Sequence, residues 1–265
     1  MTGLEFKDHF SAHAAAYADA RPHYPDELFA WLATLTADHK QAWDCGTGNG
    51  QAALGLASHY RQVIATDPSK QQIESAFPHA RVHYRVAPAE SPGLEAHSVD
   101  LVSVAQALHW FDRPKFYQQV KKALKPGGAV AVWCYGLCHI EPAIDECVRV
   151  FYAGETGPYW PPERMLIDEG YRSIEFPFAE AAPPALRMQQ RWTLDQVLAY
   201  LRTWSAVQKY LQALGRDPVQ ALAAELRHLW TPPHALKSVH WPLHIRAGHA
   251  FKERGLSTGS CIQGI

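Results

Sequence analysis

Short apolar runs and longer amphipathic stretches alternate along the first half of the chain. The apolar runs predict buried strands over residues 42–46, 62–67, 82–86, 99–105 and 129–135. The amphipathic stretches predict helices over residues 50–59, 69–76 and 114–124. Strands that alternate with helices at this pitch are typical of a parallel sheet with helices on both faces. The pattern therefore predicts an α/β fold with a doubly wound, mostly parallel sheet.

The remainder of the chain follows a different rhythm. Two N-terminal helices are predicted over residues 5–20 and 25–37, because prolines interrupt the helical pattern between them. The later segments with regular patterns are two helical stretches, a strand-like run and a last strand, at residues 141–155, 193–231, 171–178 and 241–247 respectively. This arrangement predicts a helical cap that is inserted late in the chain.

These patterns predict a division of the chain into three parts. Residues 1–135 hold the N-terminal helices and the α/β core, and residues 136–250 hold the cap and the last strands of the sheet. Residues 251–265 have no apolar period and several small residues, which predicts a tail that is either disordered or not native sequence.

The composition argues against several classes of binding partner. The 265 residues have a formal net charge of −1, from 25 Lys and Arg against 26 Asp and Glu, without any block of like charge. We therefore expect neither a nucleic-acid partner nor a membrane-surface partner. No run approaches the roughly 18 apolar residues that span a bilayer, and residues 1–19 lack the apolar segment of a secretory signal. These features favour a cytoplasmic protein, whose oligomeric state the composition leaves open.

The five cysteines indicate no disulfide framework in a chain of this length. Cys134, Cys138 and His139 are the only grouping that suggests a metal, but no second pair with matching spacing follows. Cys134 also falls inside an apolar strand, which favours structural burial. We expect no metal ion.

The first predicted strand runs into a glycine-rich turn with the pattern D-x-G-x-G-x-G, from Asp44 to Gly50. Alternating glycines let the backbone turn sharply and let a ligand approach it closely. A dinucleotide-binding fingerprint requires G-x-G-x-x-G, and Gln51 stands at the position of its third glycine. Asp44 would also repel a diphosphate, whereas it suits a ligand with an ammonium group. A plain glycine-rich loop is the alternative.

Asp67 ends the second predicted strand, about 20 residues after the glycine turn. A doubly wound sheet presents a carboxylate here to ribose hydroxyls, and one carboxylate can accept a hydrogen bond from both. An ordinary Asp-Pro turn is the alternative for Asp67 and Pro68. The spacing from the glycine turn favours the ribose ligand.

With these motifs the chain resembles the class I S-adenosylmethionine-dependent methyltransferases, specifically the type 11 small-molecule branch that includes trans-aconitate methyltransferase-like enzymes. The resemblance extends from about residue 6 to about residue 249. The glycine turn is specific to the superfamily, while His-Trp-Phe-Asp at 109–112 and Thr-Trp-Ser at 203–205 are specific to the branch. The resemblance implies a seven-stranded Rossmann-like methyltransferase fold, S-adenosyl-L-methionine as cofactor and a small-molecule acceptor.

The resemblance also implies which positions hold the cofactor: Tyr17, Arg21, Asp44, Gly46, Gly48, Gly50, Asp67, Pro68, Ala89, Glu90, Ala105 and Gln106. The three glycines would lie under the methionine part, with Asp44 near its ammonium. Tyr17 and Arg21 would fold over its carboxylate as a lid, and Asp67 would hold the ribose. Pro68, Ala89 and Glu90 would contact the adenine. Ala105 and Gln106 would close the pocket beside the sulfur.

His109 and Trp110 follow the fourth predicted strand, at the edge of the sheet where ligands bind in such folds. His109 is the predicted catalytic residue, because it can donate a hydrogen bond to a substrate oxygen or act as a general base near neutral pH. Trp110 offers an indole N–H and an electron-rich face to the substrate. Packing over the edge of the core is the alternative for both residues.

The predicted cap supplies the other candidates for the substrate pocket, which are Tyr159, Trp160, Arg164, Tyr200 and Trp204. Tyr200 and Trp204 are four residues apart and share a helix face, where aromatic side chains also serve as core. We expect aromatic rather than acidic side chains around Arg164, so it is the predicted partner of an anionic substrate.

The predicted reaction is in-line transfer of a methyl group from S-adenosylmethionine to a small, partly apolar carboxylic acid. A sulfonium is a good leaving group, so the enzyme mainly supplies alignment and a dry site. A carboxylate acceptor needs no general base, whereas a phenol or an amine would make His109 the base. The alternatives are a non-catalytic S-adenosylmethionine-binding module and a nicotinamide-dependent dehydrogenase, against which Gln51 and Asp44 argue.

Overall fold

The computed structural model describes residues 20–250. The strands are β1 (Gln41–Cys45), β2 (Gln62–Asp67), β3 (Val82–Val86), β4 (Val99–Ala105), β5 (Leu124–Tyr135), β6 (Ala179–Ala181), β7 (Met188–Trp192), β8 (Lys237–Trp241) and β9 (Leu243–His249). The helices are α1 (Asp26–Thr34), α2 (Gln51–Ala57), α3 (Lys70–Glu74), α4 (Arg113–Ala123), α5 (Pro142–Ala153), α6 (Arg164–Asp168), α7 (Leu194–Arg202), α8 (Ser205–Leu214) and α9 (Val219–Leu229).

Seven strands form one sheet in the order β3-β2-β1-β4-β5-β9-β6. The pairs among β1 to β5 are parallel, while β9 is antiparallel to both β5 and β6. The strand order reverses between β1 and β4, and such sheets bind ligands at the carboxyl ends of their strands beside this point. The predicted doubly wound, mostly parallel, seven-stranded sheet is confirmed.

Both faces of the sheet are covered, which is why its strands are apolar runs rather than alternating ones. Successive side chains of a strand point to opposite faces. Ala42 and Leu101 therefore pack in one core cluster with α1 and α2, whereas Trp43 and Val102 pack in another with α4. These two layers hold the carboxyl ends of β1, β2 and β4 in place.

The predicted strand at residues 171–178 is wrong. This segment is a turn followed by irregular backbone, and the edge strand β6 begins only at Ala179. Gly170 and Tyr171 both have positive φ, at 61° and 60°, which turns the chain away from an extended course. The apolar residues that suggested a strand pack into the core of the sheet without joining its ladder.

The segment after β5 contains more structure than the pattern predicts. Its long helical stretch is three helices, α7 to α9, and β7 pairs with β8 in a separate antiparallel ribbon that was not predicted. The sequence of β7 is apolar only at its two ends, which hides it from a search for alternation. A third core cluster joins this ribbon to α5, α7 and α9.

Several predictions about the chain ends are outside the reach of this structure. The helix predicted over residues 5–20 and the tail over residues 251–265 lie outside the described residues. The boundary at residue 135 stays a prediction. Within residues 20–250, no helix is long and apolar enough to cross a bilayer.

Candidate active site

A cavity of about 890 Å³ lies between the carboxyl ends of the parallel strands and the segments after β5. Ligand pockets usually measure roughly 300–1,000 Å³, so this volume suits a nucleoside-sized ligand together with a small second one. The predicted site residues that line it are Arg21, Gly46, Gly48, Asp67, Pro68, Ala89, Glu90, Ala105, Gln106, His109, Trp110, Tyr159, Trp160, Arg164, Tyr200 and Trp204. Asp44 and Gly50 do not line it, and Tyr17 lies outside the described residues.

The glycine turn forms the floor of the cavity. The backbone amides of Gly46 and Thr47 both donate to the carbonyl of Thr66, at 2.8 and 3.0 Å, which ties the turn to β2. Gly46 has a φ of 70°, and a Cβ added there would lie 2.6 Å from the Cβ of Ala107. Only glycine fits this position. Gly50 precedes the first residue of α2 as its N-cap, which places it behind the floor.

Asp67 presents its carboxylate at the wall of the cavity. Oδ2 accepts from the amide of Gly48 at 2.9 Å, and Oδ1 accepts from the amide of Ser69 at 2.9 Å. A carboxylate oxygen has further acceptor capacity beyond one hydrogen bond. The two backbone amides therefore fix the orientation of Asp67 and leave it able to accept from a ligand diol.

The walls beyond Asp67 are formed by Pro68, Ala89 and Glu90. Glu90 Oε1 accepts from the backbone amide of Asp112 at 2.8 Å, so this side chain also holds the start of α4. The predicted adenine positions thus surround one end of the cavity.

Asp44 lies one layer behind the surface of the cavity. It is fully buried, with Oδ2 accepting from the Thr47 hydroxyl at 2.5 Å and Oδ1 from the Ser103 hydroxyl at 2.7 Å. Burial raises the pKa of Asp44 to about 6, an effect that the two hydroxyls partly offset. Thr47 lines the cavity in its place. The place of Asp44 near an ammonium stays a prediction, in which Asp44 would act through its charge and through Thr47.

Gln106 and Arg21 connect the rim of the cavity. The Gln106 amide donates to the carbonyl of Tyr135 at 3.3 Å and accepts from its backbone amide at 3.1 Å, so it ties β4 to β5. Arg21 donates from Nη1 to the Tyr135 hydroxyl at 3.0 Å and from Nη2 to the carbonyl of Thr203 at 3.3 Å. Arg21 thus bridges β5 and the end of α7 across the rim, while the lid role of Tyr17 stays a prediction.

His109 is a neutral, buried imidazole. Its Nδ1 lies 2.9 Å from the Tyr171 hydroxyl, and its ring lies 4.7 Å from that of Trp110. Burial lowers the pKa of His109 to about 3, and the charges of Arg164 and Arg113 add to this. A group with this pKa is a weak base at neutral pH, which argues against the general-base alternative for His109. The arrangement favours a hydrogen-bonding role.

Arg164, the first residue of α6, lies between two aromatic rings. Its guanidinium carbon is 4.9 Å from the centroid of Trp160 and 5.4 Å from that of Tyr152. Nε donates to the Tyr152 hydroxyl at 2.9 Å and to Asp168 at 3.2 Å. The expectation of no acidic neighbour is wrong, because Glu163 directly precedes Arg164 in the sequence and Asp168 is one helical turn away. Among residues 20–250 the two Nη groups make no hydrogen bond, and they are not sealed from the cavity.

The aromatic candidates serve as packing and as cavity wall at once. Trp204 and Tyr200 are 5% and 3% exposed, yet both line the cavity. Trp204 packs against Trp160 at 5.5 Å, and Tyr159 packs against Tyr210 at 5.1 Å. Trp204 and Tyr200 therefore belong both to the hydrophobic core and to the cavity wall, the two alternatives that the sequence left open.

Among the residues that the sequence did not identify, Thr47 and Tyr135 line the cavity, and Tyr171 contacts His109 from behind it. A hydroxyl three residues after the acid of the glycine turn was a usable signal for Thr47. The other two are placed by tertiary contacts alone. Within the described part of the chain, no group of three or more His, Cys, Asp or Glu side chains is arranged to hold a metal.

The floor and walls fit S-adenosylmethionine. A Cβ added at Gly48 would have Gln72 Oε1 at 3.9 Å as its nearest neighbour, so the backbone here is open to a ligand. The Asp67 carboxylate suits a ribose diol, and the volume accommodates the whole molecule beside an acceptor.

Comparisons with known proteins agree with this geometry. Residues 43–132 match the methyltransferase domain family of type 11. A predicted methyltransferase of Dictyostelium discoideum is 34% identical over 82% of this chain and 84% of its own length. The structure of a predicted type II methyltransferase from Anaeromyxobacter dehalogenans is 44% identical, with a TM-score of 0.81 over 86% of this chain and 97% of that one.

A third relative bears on the cofactor. A predicted S-adenosylmethionine-dependent methyltransferase of Saccharomyces cerevisiae is 29% identical over 55% of this chain and 52% of its own length. The cavity floor, the carboxylate at its wall and these relatives lead to one assignment. The chain belongs to the class I S-adenosylmethionine-dependent methyltransferases, and S-adenosylmethionine is its cofactor.

Proposed function

We propose that this enzyme belongs to the small-molecule branch similar to trans-aconitate methyltransferase-like enzymes, and that it esterifies a small, partly apolar carboxylic acid. The observation that carries the proposal is the guanidinium of Arg164, held between Trp160 and Tyr152 with both Nη groups free of partners among residues 20–250. A guanidinium fork binds a carboxylate bidentately, with charge-assisted hydrogen bonds. The aromatic surroundings favour an apolar body on the acid.

The second donor of the acceptor half is His109. Burial and the nearby positive charge of Arg164 keep the imidazole ring neutral. A neutral ring can donate one hydrogen bond to the acceptor carboxylate without forming an ion pair with it. The two groups together would hold one carboxylate with an oxygen directed at the methyl group. We assign His109 as the catalytic residue because its ring would contact the reacting carboxylate directly.

No proton needs to move in the proposed reaction. When bound, S-adenosylmethionine supplies an electrophilic methyl group, which a carboxylate oxygen accepts while the carbon–sulfur bonding pair stays with sulfur. A histidine with a pKa of about 3 is therefore no handicap for this acceptor, whereas it would be a poor base for a phenol or an amine. The protein contributes alignment and exclusion of water.

The cofactor half is assigned as follows. We propose that Asp67 binds the ribose, that Pro68, Ala89 and Glu90 contact the adenine, and that Gly46 and Gly48 lie under the methionine part. Ala105 and Gln106 would lie beside the sulfur, and Gln106 would act by shaping the backbone there. The assigned division places cofactor binding before residue 135 and acceptor binding largely after it.

The test is a methyl-transfer screen of small carboxylic acids, phenols and amines that measures release of S-adenosylhomocysteine. We expect turnover with carboxylic acids and a methyl ester as product. Arg164→Met, which keeps volume between the two rings, should raise the Michaelis constant for the acid by about tenfold to a hundredfold, since charged hydrogen bonds contribute roughly 1.5–3 kcal/mol. His109→Ala should lower turnover more than it raises that constant.

Arg216→Met is the matched control. Arg216 also lies over an aromatic ring, that of Tyr210 at 5.5 Å, but it does not line the cavity. This variant should leave the Michaelis constant unchanged. Turnover confined to neutral phenols or amines would contradict the proposal, and cofactor binding without turnover on any acceptor would indicate a binding module instead.

A further inference from the structure

His109 and Tyr171 form a buried, hydrogen-bonded pair at the inner wall of the cavity. Neither cofactor binding nor acceptor binding by itself requires this hydrogen bond. Tyr171 is 1% exposed and His109 is 5% exposed, and the phenol oxygen lies 2.9 Å from Nδ1. The two residues are 62 positions apart in the chain. His109 lines the cavity and Tyr171 does not, so the hydroxyl of Tyr171 acts on the site through the imidazole.

The end of α6 holds Tyr171 in an uncommon backbone conformation. Its φ is 60°, a region that bulky residues rarely adopt, and it follows Gly170 with a φ of 61°. The Tyr171 amide donates to the carbonyl of Leu166 at 2.8 Å, and its carbonyl accepts from Arg246 Nη1 at 3.1 Å. Backbone strain of this kind is maintained where surrounding structure imposes it, and it is concentrated at functional sites. The same short helix therefore places Arg164 at its start and Tyr171 just beyond its end.

The direction of the hydrogen bond follows from the surroundings of the phenol. Among residues 20–250, Nδ1 of His109 is the only hydrogen-bond acceptor of the Tyr171 hydroxyl. If Nδ1 carried the proton, the phenol proton would be buried without a partner, which is costly. Burial also raises the pKa of Tyr171 well above its usual value, so the phenol keeps its proton. The phenol therefore donates, and Nδ1 accepts.

We propose that Tyr171 is a positioning residue that holds His109 in the tautomer with the proton on Nε2, so that Nε2–H donates to the acceptor oxygen. Neutral imidazole has one donor and one acceptor nitrogen, and fixing one nitrogen fixes the other. Nε2 has no hydrogen-bond partner among residues 20–250, and His109 lines the cavity. The statement about the acceptor oxygen rests on the proposed function, whereas the tautomer does not.

The experiment measures the tautomer directly, by two-bond proton–nitrogen correlation spectra of protein labelled with ¹⁵N in the histidine rings. The His109 signals are identified by their loss in His109→Ala. In the unmodified protein we expect a protonated Nε2 and a bare Nδ1. In Tyr171→Phe we expect Nδ1–H to appear, and turnover with a carboxylic acid to fall about tenfold without change in cofactor affinity, as one hydrogen bond is lost.

Tyr117→Phe is the matched control. Tyr117 is 6% exposed, packs in the same core cluster and donates its hydroxyl to the carbonyl of Glu175 at 3.0 Å, away from the cavity. A merely structural role would lower the melting temperature in both variants and leave the His109 tautomer as it is. The control should leave both tautomer and turnover unchanged.

Two results would overturn the proposal: a proton on Nδ1 in the unmodified protein, or the same tautomer in Tyr171→Phe. The first result needs no folded Tyr171 variant. Failure of the proposed function is distinguishable, because it would abolish methyl ester formation in the unmodified protein while the tautomer and its dependence on Tyr171 remained.

Discussion

The cofactor half of the cavity is built largely from backbone at strand ends, whereas the acceptor half is built from side chains that come from several distant segments. In the first half, Gly48 and Asp67 are fixed by hydrogen bonds between the glycine turn and β2. In the second half, Arg164 is held by the rings of Trp160 and Tyr152, which are themselves part of a hydrophobic cluster. Substitution in the cofactor half should therefore affect binding of one ligand, while substitution in the acceptor half changes packing and specificity together.

The largest effect is expected where the glycine turn packs against Ala107. Gly46→Ala adds a Cβ at 2.6 Å from the Cβ of Ala107 at a φ of 70°. Left-handed strain and overpacking should together lower the free energy of unfolding by about 3 kcal/mol. Cofactor affinity should fall as well, because the floor must shift. Urea denaturation and calorimetry measure the two effects.

Gly93→Ala separates the two causes. Gly93 has a φ of 66° but an added Cβ would have no neighbour within 4 Å, so only the conformational cost of about 1–2 kcal/mol remains. Equal destabilisation by the two substitutions would mean that the glycine turn can shift to accept the added Cβ. The cofactor half would then be no more rigid than the acceptor half.

A second, smaller effect is expected at the wall. Asp67→Ala should weaken cofactor affinity at least about tenfold, since charged hydrogen bonds contribute roughly 1.5–3 kcal/mol, and should leave the Michaelis constant for the acceptor unchanged. Asp217→Ala is the control, because Asp217 also accepts from a backbone amide, that of Val219 at 2.9 Å, but lies outside the cavity. Unchanged cofactor affinity in Asp67→Ala would place the ribose elsewhere.

The smallest effect concerns Asp44 and appears only with pH. Its pKa of about 6 means that the unliganded protein is mostly protonated there at pH 5 and mostly ionised at pH 7. If an ammonium favours the ionised form, cofactor affinity should rise by at most about tenfold over this interval. Calorimetry at several pH values measures this rise, and Asp44→Asn should abolish it.

The same shift predicts the sign of a stability effect. The folded carboxyl binds its proton more tightly than the unfolded one, so its contribution to stability increases as the pH falls from about 6 to about 4. A flat affinity profile in the unmodified protein would mean that Asp44 stabilises the glycine turn without acting on the ligand.

The two halves of the cavity also differed in how well they could be predicted. The glycine turn and Asp67 were identified because their residues lie close together in sequence and their spacing reflects one strand–turn–helix unit. Tyr171 could not be identified, since its partner is 62 positions away and its apolar neighbours suggested a strand. Residues 171–178 pack against the core of the sheet without pairing with a strand. No local sequence pattern distinguishes such a packed segment from a strand.

Depth was the other property that the sequence did not contain. Asp44 was identified as part of the glycine turn, but the sequence does not show that it is fully buried, nor that Trp204 and Tyr200 are core and wall together. Period and spacing report which face of an element a residue occupies, but not how many layers cover it.

Tyr135 and Leu243 face each other across β5 and β9, so the intervening segment leaves and rejoins the sheet at adjacent points. Residues 136–242 thus form one long connection between adjacent strands, and β6 is the part of it that joins the sheet. The entropy of closing a loop grows slowly with its length, by roughly 0.6 kcal/mol for each doubling. Insertions and deletions within this segment are therefore inexpensive for the sheet, as long as β6 is retained at its edge. Under the proposed function, changes of length in this segment would alter the acceptor pocket while the glycine turn and β2 stay in place.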